Sequence, residues 1–219
     1  MNAHQITREF EKALCLYTGA PYAVAVNSCT MALLLACAWQ KKVMGPRVVS
    51  IPKRTYVGVP MSIHHAGHAV VFRDETWAGQ YFLDPLNVID AARRFTYQMY
   101  RTVGSFQCVS FHWSKILGLS QGGAILHDNP EADAWLRRAR FDGRHEGLQP
   151  VFDNFDILGW HCYMSPEVAA HGIMKLGLLP DHNADLPNSD YSDLSLAPIF
   201  GGGRARAADL SDPQMGEMV

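Results

Sequence analysis

Residues 110–123, SFHWSKILGLSQGG, set a lysine among apolar neighbours and close the stretch with a double glycine. Lys115 lies between Phe111, Trp113, Ile116 and Leu117, none of which explains a solvated charge there. An amine held in apolar surroundings titrates low, and a neutral amine can attack a carbonyl to form a Schiff base. A surface lysine snorkelling off a helix end has the same local pattern. Residues 108–111 read as an apolar strand running straight into this loop, and after Gly122-Gly123 the strand at 123–126 pairs back beside it.

Upstream, the same strand-then-ligand-loop pattern repeats. YAVAV (22–26) reads as a short buried strand entering NSCTMALLLACAW, where Asn27 and Ser28 are good caps and a helix, apolar nearly all round, starts near Thr30. A capped helix start fed by a strand presents free N–H groups and the positive end of a dipole, which suits a phosphate. From this segment alone, plain capping of a core helix by Asn27 and Ser28 is the preferred reading. Cys29 at that position is expected to have a depressed thiol pKa, which keeps a cysteine nucleophile open. Residues 48–51, 68–72 and 87–89 read as further strands, the last delivering Asp90 at its carboxyl end, with residues 90–95 as a helical turn. Short apolar strands alternating with helical segments indicate an α/β fold, in which ligands collect where residues 27–30, 90 and 110–115 fall.

Residues 5–17 form an amphipathic helix ended by Gly19, and residues 54–67 a loop and short helix with Tyr56 and Pro60 near its start. His64, His65 and His68 have no accompanying carboxylate or cysteine, so no metal site is expected. Residues 131–144 are amphipathic with a basic face, and residues 165–179 form a helix capped by Ser165 with Pro166 at its first position. Beyond Pro180 the chain is polar and rich in Pro, Gly, Asp and Ser, which predicts little regular structure and a mobile tail containing Arg204 and Arg206.

Composition narrows the function classes. The chain has 219 residues, 48% of them hydrophobic, enough for a sizeable core. A net charge of −2 with scattered basic residues gives no expected grip on nucleic acid or an anionic membrane. Five cysteines without C-x-x-C spacing argue against a disulfide framework or zinc site and suggest a reducing, cytoplasmic setting. No apolar run approaches about 18 residues and no signal-peptide pattern is visible, so neither a membrane span nor export is expected.

Taken in order, FEKALCLYTGAPYAVAVNSCTMALLLA, IPKRTYVGVPMSIHHAGHAVVFRD, VIDAARRF, VSFHWSKILGLSQGGAIL, LRRARFDGR and GWHCYMSPEVAAHGIMKLGLL resemble the DegT/DnrJ/EryC1/StrS family of pyridoxal-phosphate enzymes. These are mostly sugar aminotransferases of fold type I. The resemblance runs from about residue 9 to about residue 179. It implies a shortened fold-type-I α/β domain over residues 1–179 and a vestigial small domain with its tail over 180–219. It also implies that Lys115 bonds covalently to pyridoxal 5′-phosphate and shuttles a proton, and that Asp90 pairs with the pyridine nitrogen. By the same resemblance Ser28, Cys29 and Thr30 at the helix start hold the cofactor phosphate with Ser110, and Tyr56 stacks on the ring. Arg93 stands where His or Gln is usual, suited to clamp a substrate carboxylate. Gln121 replaces a usual Glu. His161 replaces an Asn that reaches the cofactor of a neighbouring subunit.

Two pieces usual in the family are reduced. ETWAGQYFLDPLNV replaces a helix, strand and helix before Asp90, so fewer strands are expected, and the small C-terminal domain shrinks to a few dozen residues. The function implied is transfer of an amino group from an amino acid donor such as glutamate to a small-molecule keto acceptor such as a nucleotide-linked keto sugar, in a homodimer with shared active sites. Alternatives are pyridoxal-phosphate decarboxylation, isomerisation or elimination on a bulky substrate such as a modified nucleotide or nucleic acid, a catalytically inactive cofactor-binding scaffold, and a Cys29-dependent enzyme.

Overall fold

Residues along the central strands alternate between two cores, the period-two signature of a sheet covered on both faces. The computed structural model describes residues 3–187 and 190–201. Strand β1 (Tyr22–Val26) sends Val24 and Val26 to one core and Ala23 and Ala25 to the other. Likewise β6 (Phe106–Ser110) and β7 (Gly123–His127) direct Cys108 and Ile125 to the first core, Val109, Ala124 and Leu126 to the second. Helix α2 (Cys29–Met44) supplies the first core with Leu33, Leu35, Ala36 and Cys37, whereas α1 (Ala3–Thr18) and α5 (Pro166–Leu176) supply the second with Phe10, Leu14, Ala169 and Leu176.

The sheet order is β1-β7-β6-β5-β4, with β5 at Val88–Asp90 and β4 at Tyr81–Phe82. β5 and β6 are parallel, and β7 returns antiparallel to both β6 and β1. Strands β2 (Val48–Pro52) and β3 (Ala69–Arg73) form a separate parallel pair, joined to the larger sheet through Ser50 and Asp84, whose backbones exchange hydrogen bonds of 2.7 and 3.2 Å. The link at residues 75–88 makes the two-residue edge strand β4, antiparallel to β5 with Tyr81 opposite Asp90. Helix α3 spans Gly58–His65, and α4 spans Pro130–Ala139 with Asn129 as its cap.

Beyond Pro180 the described residues contain two single-turn 3-10 helices and little else that is regular. This segment is nonetheless tied to the body. Tyr17 donates to the Pro180 carbonyl at 2.6 Å, Arg94 pairs with Asp185, and the Leu194 amide donates to Lys53 at 2.9 Å. Arg204 and Arg206 lie outside the described residues.

Candidate active site

Ser28, in extended backbone after β1, accepts a 3.2 Å hydrogen bond from the Met31 amide and its carbonyl takes the Ala32 amide, so α2 begins at Cys29. The amides of Cys29 and Thr30 have no acceptor within the helix. Beside this helix start runs the backbone of the double glycine. Gly122 has φ +137°, and a Cβ at Gly123 would stand 2.5 Å from the Cys29 nitrogen and 2.8 Å from the Val109 carbonyl oxygen. Only glycines let β7 pass this close to the helix start.

From the end of β6, Ser110 leads into the lysine loop, which folds back through hydrogen bonds from Lys115 to His112 (2.8 Å) and from Leu119 to Phe111 (2.8 Å). Lys115 is half-buried. Dehydration pushes its pKa below the ordinary lysine value, the Arg93 charge adds to this, and Asp90 opposes it. Phe111 and Leu117 are buried as expected, but Trp113 is 71% exposed and turns away, so it does not enclose the amine.

Asp90 is 4% exposed at the end of β5. Burial raises its pKa, against hydrogen bonds from the Ala92 amide (3.0 Å) and the Tyr81 hydroxyl (2.9 Å) and the charges of Lys115 and Arg93. Tyr81 is also 2.6 Å from the Thr55 hydroxyl and packs edge-on against Trp77 at 4.7 Å. Thr55, Trp77 and Tyr81 are all buried.

These groups surround a cleft of about 500 Å³. Of the residues expected from sequence, Ser28, Cys29, Thr30, Tyr56, Asp90, Arg93, Ser110 and Lys115 line it. Tyr56 is 55% exposed. Gln121 lines the cleft as well as an adjoining cavity that holds His161. His161 is thus not brought into the main cleft; its Nδ1 lies 2.7 Å from the Asp142 carboxylate. His68, within the histidine-rich stretch, is buried with Nδ1 accepting from the Arg47 amide and Nε2 against the Cys37 carbonyl, both at 3.0 Å.

The expectation of a depressed Cys29 thiol is overturned. Its Sγ points to the Cys108 carbonyl at 3.6 Å, and burial, reinforced by Asp90, pushes its pKa well up despite Lys115. The dipole argument fails because the side chain leaves the helix axis for the sheet. A thiol protonated in this way is a poor nucleophile.

Thr55, Trp77 and Tyr191 also line the cleft and were not legible as site residues. Tyr191 comes from the C-terminal segment, stacks on Trp77 at 12° and lies under the Arg93 guanidinium at 5.9 Å. These pairings are long-range and carry no local motif. For Tyr81, the short apolar run YFL between Gln80 and Asp84 is the one available signal.

Comparison with known proteins agrees with this architecture. A stretch of 67 residues is 40% identical to the spore coat polysaccharide biosynthesis protein SpsC of Bacillus subtilis (strain 168), covering 31% of this chain and 17% of that protein. Among solved structures, a DegT DnrJ EryC1 StrS aminotransferase from Brucella abortus superposes with a TM-score of 0.64 at 20% identity, over 79% of this chain and 58% of that one. PseC of Helicobacter pylori, an aminotransferase involved in the biosynthesis of pseudoaminic acid, superposes at 0.66 with 18% identity, over 78% and 57%. The chain therefore spans somewhat over half the length of these structural relatives, and its fold is that of the fold-type-I pyridoxal-phosphate-dependent aminotransferases. The family model matches in two overlapping pieces, residues 2–98 and 90–185, which together take in most of the chain: the protein belongs to the DegT/DnrJ/EryC1/StrS aminotransferase family.

Proposed function

We propose that the chain is a pyridoxal-phosphate-dependent aminotransferase that takes an amino group from an amino acid donor, glutamate by family analogy, and delivers it to a keto group of an acceptor such as a nucleotide-linked keto sugar. The observation that carries this reading is a half-buried lysine of lowered pKa sharing one cleft with a buried carboxylate and a capped helix start. The donor set fits the cofactor. A cleft of about 500 Å³ lies within the roughly 300–1,000 Å³ usual for small-molecule sites.

When bound, pyridoxal phosphate supplies an electron-withdrawing ring that stabilises negative charge on the substrate carbon bearing the amino group. The residues of the chain do the rest. Cys29 and Thr30 would donate backbone N–H groups to the phosphate, aided by the helix dipole, and the Thr30 and Ser110 hydroxyls would add to the cradle, with Ser28 holding the helix start. Asp90 would accept a hydrogen bond from the protonated ring nitrogen. Tyr56 would pack on the ring. The Lys115 Nζ, neutral at lower pH than an ordinary lysine, would hold the cofactor by its aldehyde carbon with loss of water and, once displaced from it by the amino group of the donor, would be free to move a proton at the substrate carbon. Arg93, which lines the same cleft, would receive the donor carboxylate as a planar fork. His161, at the edge of the adjoining cavity, is assigned to a second subunit's site in a homodimer.

Residues 1–179 are assigned to the cofactor-binding domain and 180–219 to the residual C-terminal segment. A cytoplasmic setting is supported by five free thiols. No helix among the described residues is long and apolar enough to cross a membrane. The test is a half-reaction. Pyridoxal phosphate added to the purified chain is expected to give a visible band that glutamate bleaches with release of one keto acid per site. A band that glutamate and other amino acids leave unchanged contradicts transamination.

A further inference from the structure

Asp90 poses a physical problem that the expected site residues do not solve. A carboxylate this deeply buried tends to take up a proton, and a neutral carboxyl group cannot hold a protonated ring nitrogen. Its surroundings must therefore favour the charge and fix its direction. Lys115 and Arg93 supply positive charge, but Cys29 from α2 and Cys108 from β6 are neutral thiols, their pKa values pushed well up by burial. What remains on the last side is the edge strand β4.

We propose that Tyr81 is a positioning residue for Asp90: its hydroxyl, backed by Thr55, donates to Oδ2 and holds the carboxylate charged and aimed into the cleft. The geometry carries this. Tyr81 pairs directly opposite Asp90 in the β4–β5 ladder, its hydroxyl is 2.9 Å from Oδ2, and the Ala92 amide takes Oδ1 at 3.0 Å, so each carboxylate oxygen has one fixed donor. The direction of the chain of bonds follows from valence. An ionised carboxylate only accepts, so the single phenolic proton points at Asp90 and the Thr55 hydroxyl, 2.6 Å away, is the donor to Tyr81. Burial and the Asp90 charge keep that phenol protonated by raising its pKa well above the ordinary tyrosine value. Trp77, edge-on to the ring at 4.7 Å, fixes its plane.

The proposal also gives a role to the shortened link before Asp90. Its two-residue strand is long enough to pair with the end of β5 and deliver one hydroxyl to one carboxylate oxygen. The inference rests on the cofactor reading above only for what Asp90 faces; the Tyr81–Asp90 coupling is a property of the chain by itself.

The experiment compares wild type with Tyr81→Phe, which removes one oxygen and keeps the ring against Trp77. In the cofactor-free chain, titration of the Asp90 carboxyl followed by its isotope-labelled resonance is expected to move upward in the variant. Affinity for added pyridoxal phosphate, read from tryptophan fluorescence, is expected to fall about tenfold, the scale of a hydrogen bond to a charged group. Thr55→Val is expected to move Asp90 in the same direction by less, and Thr55→Ser to restore it. An Asp90 titration unchanged in folded Tyr81→Phe overturns the proposal. If that variant does not fold, equal behaviour of Thr55→Val and Thr55→Ser overturns it. A wild-type chain that binds no pyridoxal phosphate would overturn the cofactor reading instead, and the Asp90 titrations would still decide the role of Tyr81.

Discussion

Lys115 sits between two opposing influences, dehydration with the Arg93 charge on one side and Asp90 on the other, and the first wins. The consequence for stability has a definite sign. A lysine whose folded pKa lies below its unfolded value costs stability while both states are protonated, and the cost is lifted as pH rises through the folded pKa towards the unfolded one, because there the unfolded chain binds more protons. The cofactor-free Lys115→Met variant is therefore expected to melt above wild type in mildly acidic buffer, with the gap narrowing in alkaline buffer. Thermal melts of both proteins across that range check this, and a gap that is absent or widens with pH contradicts it. The residue's position was legible from its neighbours, but the reason was partly different: Trp113 faces out, and Arg93 does part of the work assigned to apolar enclosure.

At the scale of elements, the site depends on how closely β7 approaches the start of α2. Gly123→Ala places a methyl group 2.5 Å from the Cys29 nitrogen and 2.7 Å from the Ser28 carbonyl carbon, both backbone atoms that cannot swing aside. Overpacking of this kind costs about 1–3 kcal/mol, and here it also displaces the amides assigned to the phosphate. The variant is expected to lose thermal stability and to bind pyridoxal phosphate more weakly than wild type; a melt and affinity matching wild type would contradict the packing account. The elements themselves were largely readable. The run YAVAV, the Asn27-Ser28 cap, the Ser165-Pro166 start and the double glycine are local signals, and each marks an observed boundary to within about two residues. Strand β4 was not readable, because two residues show no periodicity and its existence is decided by the open edge of β5.

Across the whole molecule, the long-range polar ties are the least legible part. Glu11 on α1 receives Arg140 and, at 2.6 Å, Arg137, and also accepts from the Ala25 amide at 2.8 Å, while Arg140 reaches on to Glu146 at 2.7 Å. In sequence these read as an ordinary basic helix face. Only folding brings the partners together and buries Arg140 and Glu11, which locks α1 and α4 to the edge of the sheet. The C-terminal segment is similar: its composition predicts little regular structure, and nothing local places Tyr191 on Trp77 in the cleft. What was legible at this scale is the order of motifs, which brings eight of the nine expected site residues to one cleft and leaves His161 beside it. The central claim is that this cleft exists to hold pyridoxal phosphate on one particular lysine. It is tested most directly by borohydride reduction of the chain after addition of pyridoxal phosphate, followed by peptide mass mapping. The account predicts a single phosphopyridoxyl adduct on the Lys115 peptide, absent from Lys115→Met; labelling spread over surface lysines and unchanged in that variant would contradict it.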